Sequence, residues 1–262
     1  MNSELSPKAH GWRRLWLACS VVGAVLQAGC ASLGPGPPVP ISEVIALSKT
    51  GAAPNEVIRK MGRTVYAPRG SDFGKLADLG LQPPVLDFIQ TRFVNDVELL
   101  TRNWVLGDRR GGCSACFPQP LDLANLASGG DGMSADRPTG RQIGGRPPGV
   151  PAWVPASPGI AFRNAPGLTL DEIAARAKAG VPTAELVAQI HSSRLDGLIG
   201  QGFIATGQIT FGTRASVGLT GSELAALRKQ GVPDAALDAL QEEYLAQFIE
   251  IQRQRVGAGI RM

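Results

Sequence analysis

The chain has 262 residues, 44% of them hydrophobic, and a formal net charge of +4. That length allows one or two domains with ordinary cores, and the charge falls short of the basic footprint of a DNA- or RNA-binding protein. Gly 33 and Pro 20 both exceed average usage, which points to compact pieces separated by loose stretches.

The first element is a leader over residues 1–29. Lys8, Arg13 and Arg14 form a positive start, and Leu15 to Leu26 is an apolar run. Spanning a bilayer takes about 20 apolar residues, so this shorter run suits the hydrophobic region of a signal peptide. The run closes in Leu26-Gln27-Ala28-Gly29-Cys30-Ala31-Ser32, which resembles the lipobox of bacterial lipoproteins. The resemblance implies cleavage before Cys30 and a diacylglycerol on its sulfur, with no other cofactor expected. Ala28, Gly29 and Cys30 match the family pattern; Gln27 departs from it, because Leu is usual there. Ala31, in place of an Asp, points by the same resemblance to the outer membrane, facing the periplasm. Arg13-Arg14-Leu15-Trp16-Leu17 also faintly resembles a twin-arginine export signal, so the export route stays open. The alternative is an ordinary secretory leader cut near Ala28 or Ala31, with Cys30 incidental. Without the leader the chain keeps 23 basic and 21 acidic residues, and no nucleic-acid partner is expected. Residues 30–40 are a Pro/Gly-rich tether between the lipid and the first helical segment.

Four segments then share one frame. They open at Ser42, Ser71, Asp171 and Ser222, and a glycine stands nine residues later at Gly51, Gly80, Gly180 and Gly231. Six residues further on stands Val57, Leu86, Leu186 or Leu237. The pattern predicts helical hairpins: an opening Ser or Asp that caps free backbone N–H groups, an acid at the positive end of the helix dipole, and a glycine to end the helix. Pro54, Pro83, Pro182 and Pro233 suit the start of each second helix. The copies come in pairs, over 41–105 and 166–256. In the first pair the long arm carries Leu86, Ile89, Phe93, Val97, Leu100 and Trp104 at steps of three and four. In the second, Leu237, Leu240, Tyr244, Phe248, Ile251 and Arg255 take the same steps. Each arm is therefore expected to carry one sticky face. Thr64-Val65-Tyr66 suggests a short strand, and residues 202–212 a small β-hairpin turning at Thr206-Gly207. These repeats resemble hairpin repeats of bacterial envelope lipoproteins that carry no assigned activity, over about half of the chain.

Between the pairs, residues 106–165 hold 11 Gly and 8 Pro and read as a flexible connector. Cys113 and Cys116 lie in it, and outside the cytoplasm they are expected to form a structural disulfide with each other or across chains. Phe117 stands where c-type haem attachment needs His, and a zinc site would need more ligands than two cysteines and His191. His191 falls at an expected helix end, where a cation suits the dipole; with Ser192 and Ser193 adjacent in sequence, triad geometry is not expected. Glu242, Glu243 and Glu250, among Arg253 and Arg255, read as a solvated charged face. Trp104, Phe117, Trp153 and Phe162 sit in or beside the connector, as anchors for a partner or as residues that fold back on the repeats. Residues 257–262 are a tail.

The fold expected is mainly α, in two compact pieces that pack on one another or on a partner copy. The function expected is that of a lipid-anchored, non-catalytic helical adaptor acting through its long helices, by self-association or on a protein partner. The alternative is a tethered metal-handling or thiol-redox protein using Cys113 and Cys116. No catalytic residue and no metal ligand is assigned.

Overall fold

The computed structural model describes residues 37–107, 118–134, 147–155, 165–198 and 218–257. The structure is mainly α, with nine helices among those residues. Cys30, Cys113, Cys116, Phe117, Phe162 and the expected hairpin at 202–212 lie outside them. The described residues from Pro38 onward close into one compact unit.

Four helix pairs carry the architecture: α1 (Ile41–Lys49) with α2 (Pro54–Met61), α3 (Gly70–Asp78) with α4 (Pro83–Val105), α6 (Leu170–Lys178) with α7 (Thr183–His191), and α8 (Gly221–Lys229) with α9 (Asp234–Gly257). A further small helix, α5 (Leu123–Ala127), lies in the connector. Each first helix of a pair ends two positions before its glycine, and Gly51, Gly80, Gly180 and Gly231 have φ of 83, 100, 79 and 93°. Only glycine takes that left-handed turn without a Cβ penalty. At three of these ends the next residue closes a Schellman motif, with Leu81, Val181 and Val232 donating to the carbonyls of Leu76, Arg176 and Leu227. The same residues' side chains, or those just beyond, then enter the core.

The helix starts differ from the expectation. Ser42, Ser71, Asp171 and Ser222 sit in the second position of their helices, not at the cap. The caps of α6 and α8 are Thr169 and Thr220, each in a capping box with the acid three residues on: Glu172 and Glu223 accept from the Thr169 and Thr220 backbone N–H groups at 2.8 Å. Arg69 donates its N–H to Asp72 in the same way, at 2.9 Å. The acids thus close the first turn directly as well as facing the dipole.

Two short parallel strand pairs brace the flanks. β1 (Tyr66–Ala67) pairs with β2 (Gln119–Pro120), and β3 (Gly167–Leu168) with β4 (Arg194–Leu195). β1 falls at the end of the short strand expected over residues 64–66. Its partner comes from the connector, and the connector gives more: Val150 and Val154 are buried, and Trp153 stacks at a tilt on Phe93 with centroids 5.8 Å apart. These described stretches of a Gly/Pro-rich segment lie against the helices instead of standing clear of them, because each carries an apolar residue that the core can cover.

One core serves both halves. Val57, Leu86, Leu186 and Leu237 are all fully or almost fully buried in it, with Phe73, Ile89, Phe93, Leu224, Leu240 and Tyr244. At about 1.5–3 kcal/mol for each fully buried side chain of this size, these residues dominate the folding energy. Helices α3 and α4 pack against α8 and α9, so the two pairs share an interior and do not form separate pieces. Helix α9 is the central rod, packed on α3, α4, α7 and α8. From Ala239 to Gln252 only Glu242 is more than marginally exposed. It therefore has no single sticky face. Nor do Glu243 and Glu250 lie on a solvated face: they are 7% and 5% exposed, because the four helices packed around α9 cover most of its middle.

Candidate functional site

The site with most structure is the junction between the two halves. It starts from two glycines. Gly70 opens α3 and Gly221 opens α8, and both meet the other half's backbone without room for a side chain. A Cβ on Gly70 would collide with the Leu237 carbonyl; one on Gly221 would collide with the Leu86 carbonyl and the Phe73 ring. The next residue in each helix brings a free backbone N–H, as the first turn of any helix does. Ser71 donates its N–H to Asp238, and Ser222 to Asp87, both at 2.8 Å. Each half therefore caps a helix of the other. A carboxylate at this positive end is favourable on both hydrogen-bond and dipole grounds.

Gln90 and Gln241 lie 151 residues apart in sequence and pair side chain to side chain, fully buried. The same offset relates Gly70 to Gly221, Ser71 to Ser222, Leu86 to Leu237 and Asp87 to Asp238. The contacts thus come in reciprocal sets, as across a two-fold axis.

Charge decorates one rim of the junction. Arg228 lays its stem over Gly74, donates to Asp78 of the first half, and donates to Asp234 of its own half at 2.9 Å. Its guanidinium pKa is raised by these two carboxylates, first Asp234 and then Asp78. Lys75 approaches Asp234 from the first half at 3.8 Å. Gly74, Asp78, Ala225, Arg228 and Lys229 line one shallow hollow here.

His191 is the last residue of α7, as expected, and its Nδ1 lies 3.4 Å from Glu243. Burial pushes the Glu243 carboxyl up from the usual range, against the hydrogen bonds from Gln247 and His191. Gln247 is fully buried and binds Glu243 at 2.7 Å, the Ser193 carbonyl at 2.9 Å and the Leu195 N–H at 3.2 Å. That network ties α9 to α7 and β4. Ser192 and Ser193 both turn their hydroxyls to the Gln189 carbonyl, at 3.2 and 2.6 Å. The three residues do not form a relay. Among the described residues, no group of three or more His, Cys, Asp or Glu is placed to hold a metal ion.

The far ends of α4 and α9 meet at Trp104, whose ring lies under the Arg253 guanidinium at 5.2 Å. Trp153 likewise receives Arg69, at 5.9 Å. Both tryptophans are half-buried against the helices, so they belong to the packing of this unit. Deeper in the same region Asp96 has one carboxylate oxygen, and Gln252 its whole amide, buried without a hydrogen-bond partner. Burial pushes the Asp96 carboxyl up to about 6. Among the described residues the large apolar side chains left exposed are Leu99 in α4 and Leu106 just past its end, seven residues apart.

Sequence patterning found the two arms and the glycines but missed the junction. Its signal was present: Gly-Ser before an acid at both 70–72 and 221–223, with an Asp and a Gln at matching places downstream.

Fold and junction define the chain as a helical protein whose two hairpin pairs are packed as reciprocal halves. No protein-family model, curated protein or solved structure matches it.

Proposed function

We propose that the chain is the precursor of a lipid-anchored bacterial envelope protein, cut before Cys30, whose mature part is a non-catalytic interaction module. The observation that carries the anchor is the placement of Cys30 between an apolar run and a Pro/Gly-rich stretch, eight residues before the compact unit begins at Pro38. A short stiff tether of that kind holds a folded unit close to a membrane surface. Each buried acyl methylene contributes about 0.8 kcal/mol, so two or three chains on Cys30 give firm attachment. Among the described residues no helix is long and apolar enough to cross a membrane.

The non-catalytic part of the reading is supported by what the buried polar groups do. Gln90, Gln241 and Gln247 hold helices to one another, and Asp87 and Asp238 cap helices across the junction. Partner binding then falls to the outer surface, where Leu99 and Leu106 are exposed. By the lipobox resemblance the location is the outer membrane, facing the periplasm.

The test is metabolic labelling with palmitate in a Gram-negative host, comparing the full chain with Cys30→Ser. Label and membrane association in the first and neither in the second is the expected result. An unlabelled, soluble chain with its leader removed would show an ordinary secretory signal instead.

A further inference from the structure

We propose that the junction is a self-recognition surface of the homodimer type, here joining two copies of one module within a single chain, and that Arg228 on Gly74 restricts it to pairing a first half with a second half. The partner this surface fits is another module of the same design: a Gly-Ser opening to the short helix, and an Asp and a Gln on the long one.

The reciprocal contacts carry the first part. In an isologous interface, a contact from residue i to residue j returns as one from j to i. Ser71 to Asp238 returns as Ser222 to Asp87, Gly70 against the Leu237 carbonyl returns as Gly221 against the Leu86 carbonyl, and Gln90 with Gln241 is its own return. Nothing in these contacts distinguishes first from second half. With them alone, two first halves or two second halves would pair equally well.

The rim breaks that degeneracy. At the offset of 151, Gly74 corresponds to Ala225, Lys75 to Ala226, Ala77 to Arg228, Asp78 to Lys229 and Pro83 to Asp234. In the observed pairing Arg228 finds Gly74 and Asp78. In a pairing of two second halves it would meet Ala225, whose Cβ occupies the place of its stem, and Lys229, which carries the same charge. In a pairing of two first halves Ala77 would leave Asp78 without its cross-junction arginine, and Pro83 would leave Lys75 with only Asp72 and Ser71 of its own helix. One arrangement is thus rewarded and one actively opposed, which is how specificity between near-identical surfaces is obtained.

The test uses the full mature chain carrying a specific protease site between Thr139 and Gly140, cut after folding. Native mass spectrometry then reads which halves are together. The wild-type halves are expected to stay associated, and to remain only first-with-second after prolonged incubation with an isotope-labelled cut sample. Arg228→Ala is expected to let like halves pair, toward the statistical mixture in which about half of the complexes are mixed. Ala77→Arg combined with Arg228→Ala places Arg, Gly and Asp together on the first half, and is expected to invert the preference toward first-with-first complexes. Circular dichroism of each uncut variant shows that it is folded before cutting. Halves that separate into monomers on cutting overturn the self-recognition surface. A wild type that scrambles freely, or variants that stay wholly first-with-second, overturn the role of Arg228. Neither result bears on lipidation at Cys30.

Discussion

Gln90 and Gln241 face each other at the centre of the junction, and each amide donates to the other's carbonyl at 2.9 Å. Both residues are fully buried. A primary amide pair of this geometry satisfies itself on one side and leaves nothing for an apolar neighbour to replace singly.

The first prediction concerns that pair. Gln90→Leu or Gln241→Leu alone strands the other amide in the core, at a cost of about 1–3 kcal/mol. The double Leu variant removes both polar groups and is expected to lose less than the two single losses together. Urea unfolding of the four proteins measures this as a double-mutant cycle. Simple additivity would mean that the two amides do not act as a unit.

A second prediction separates capping from close approach. Asp87→Ala and Asp238→Ala each remove a carboxylate from the start of a helix in the other half, for about 1–2 kcal/mol. Gly70→Ala and Gly221→Ala are expected to cost more than either, since the added Cβ meets a backbone carbonyl that cannot swing away. Gly51→Ala serves as the comparison. Its φ of 83° is left-handed, but nothing lies within 4 Å of the added Cβ, so its cost stays near that of the strained turn, about 1 kcal/mol. Equal losses at Gly51 and Gly70 would remove the carbonyl collision as the source of the effect.

The helical elements were legible because local rules write them. Four glycines at one spacing, with prolines just beyond, marked the turns, and steps of three and four residues marked α4 and α9. The capping boxes Thr169-x-x-Glu172 and Thr220-x-x-Glu223 were legible too, and the regular Ser and Asp two residues later drew attention away from them. The junction was not legible in this way. Periodicity shows which residues share a face but not what covers it, so it gave no sign that Gln90 and Gln241 are partners. Glu243 and Glu250 were misplaced for a related reason. Charge pattern assigns such residues to water, whereas their burial comes from the number of helices around α9, which is a tertiary fact.

The connector yields a third prediction. Val154 is fully buried and Trp153 rests on Phe93, so this Gly/Pro-rich stretch holds to the helices through a few apolar anchors. Val154→Ala is expected to cost about 1–3 kcal/mol in unfolding free energy, as a core truncation does. It should also speed proteolysis within residues 147–155 well before global unfolding. A variant with unchanged stability and cutting would show that the anchor is dispensable.

The last prediction turns on Asp96. Burial is the main cause that lifts its carboxyl from 3.8 to about 6, with Arg92 pulling the other way, and one of its oxygens is buried without a partner. An acid with a raised folded pKa keeps its proton where the unfolded chain has already released it. Between about 4 and 6 the folded state therefore binds more protons than the unfolded one, and stability falls as pH rises through that window. The full penalty is present above about 6 and absent below the unfolded value. Asp96→Asn removes the titration while keeping the shape. Allowing for partial solvent screening, it is expected to stabilise the protein at pH 7 by about 1 kcal/mol and to change little at pH 4. Glu243 and Glu242, also raised mainly by burial, add slopes of the same sign, but these are common to both proteins and cancel in the difference. Urea midpoints across that range decide the matter. Parallel curves for the wild type and Asp96→Asn would show that Asp96 ionises as freely in the folded protein as in the unfolded chain.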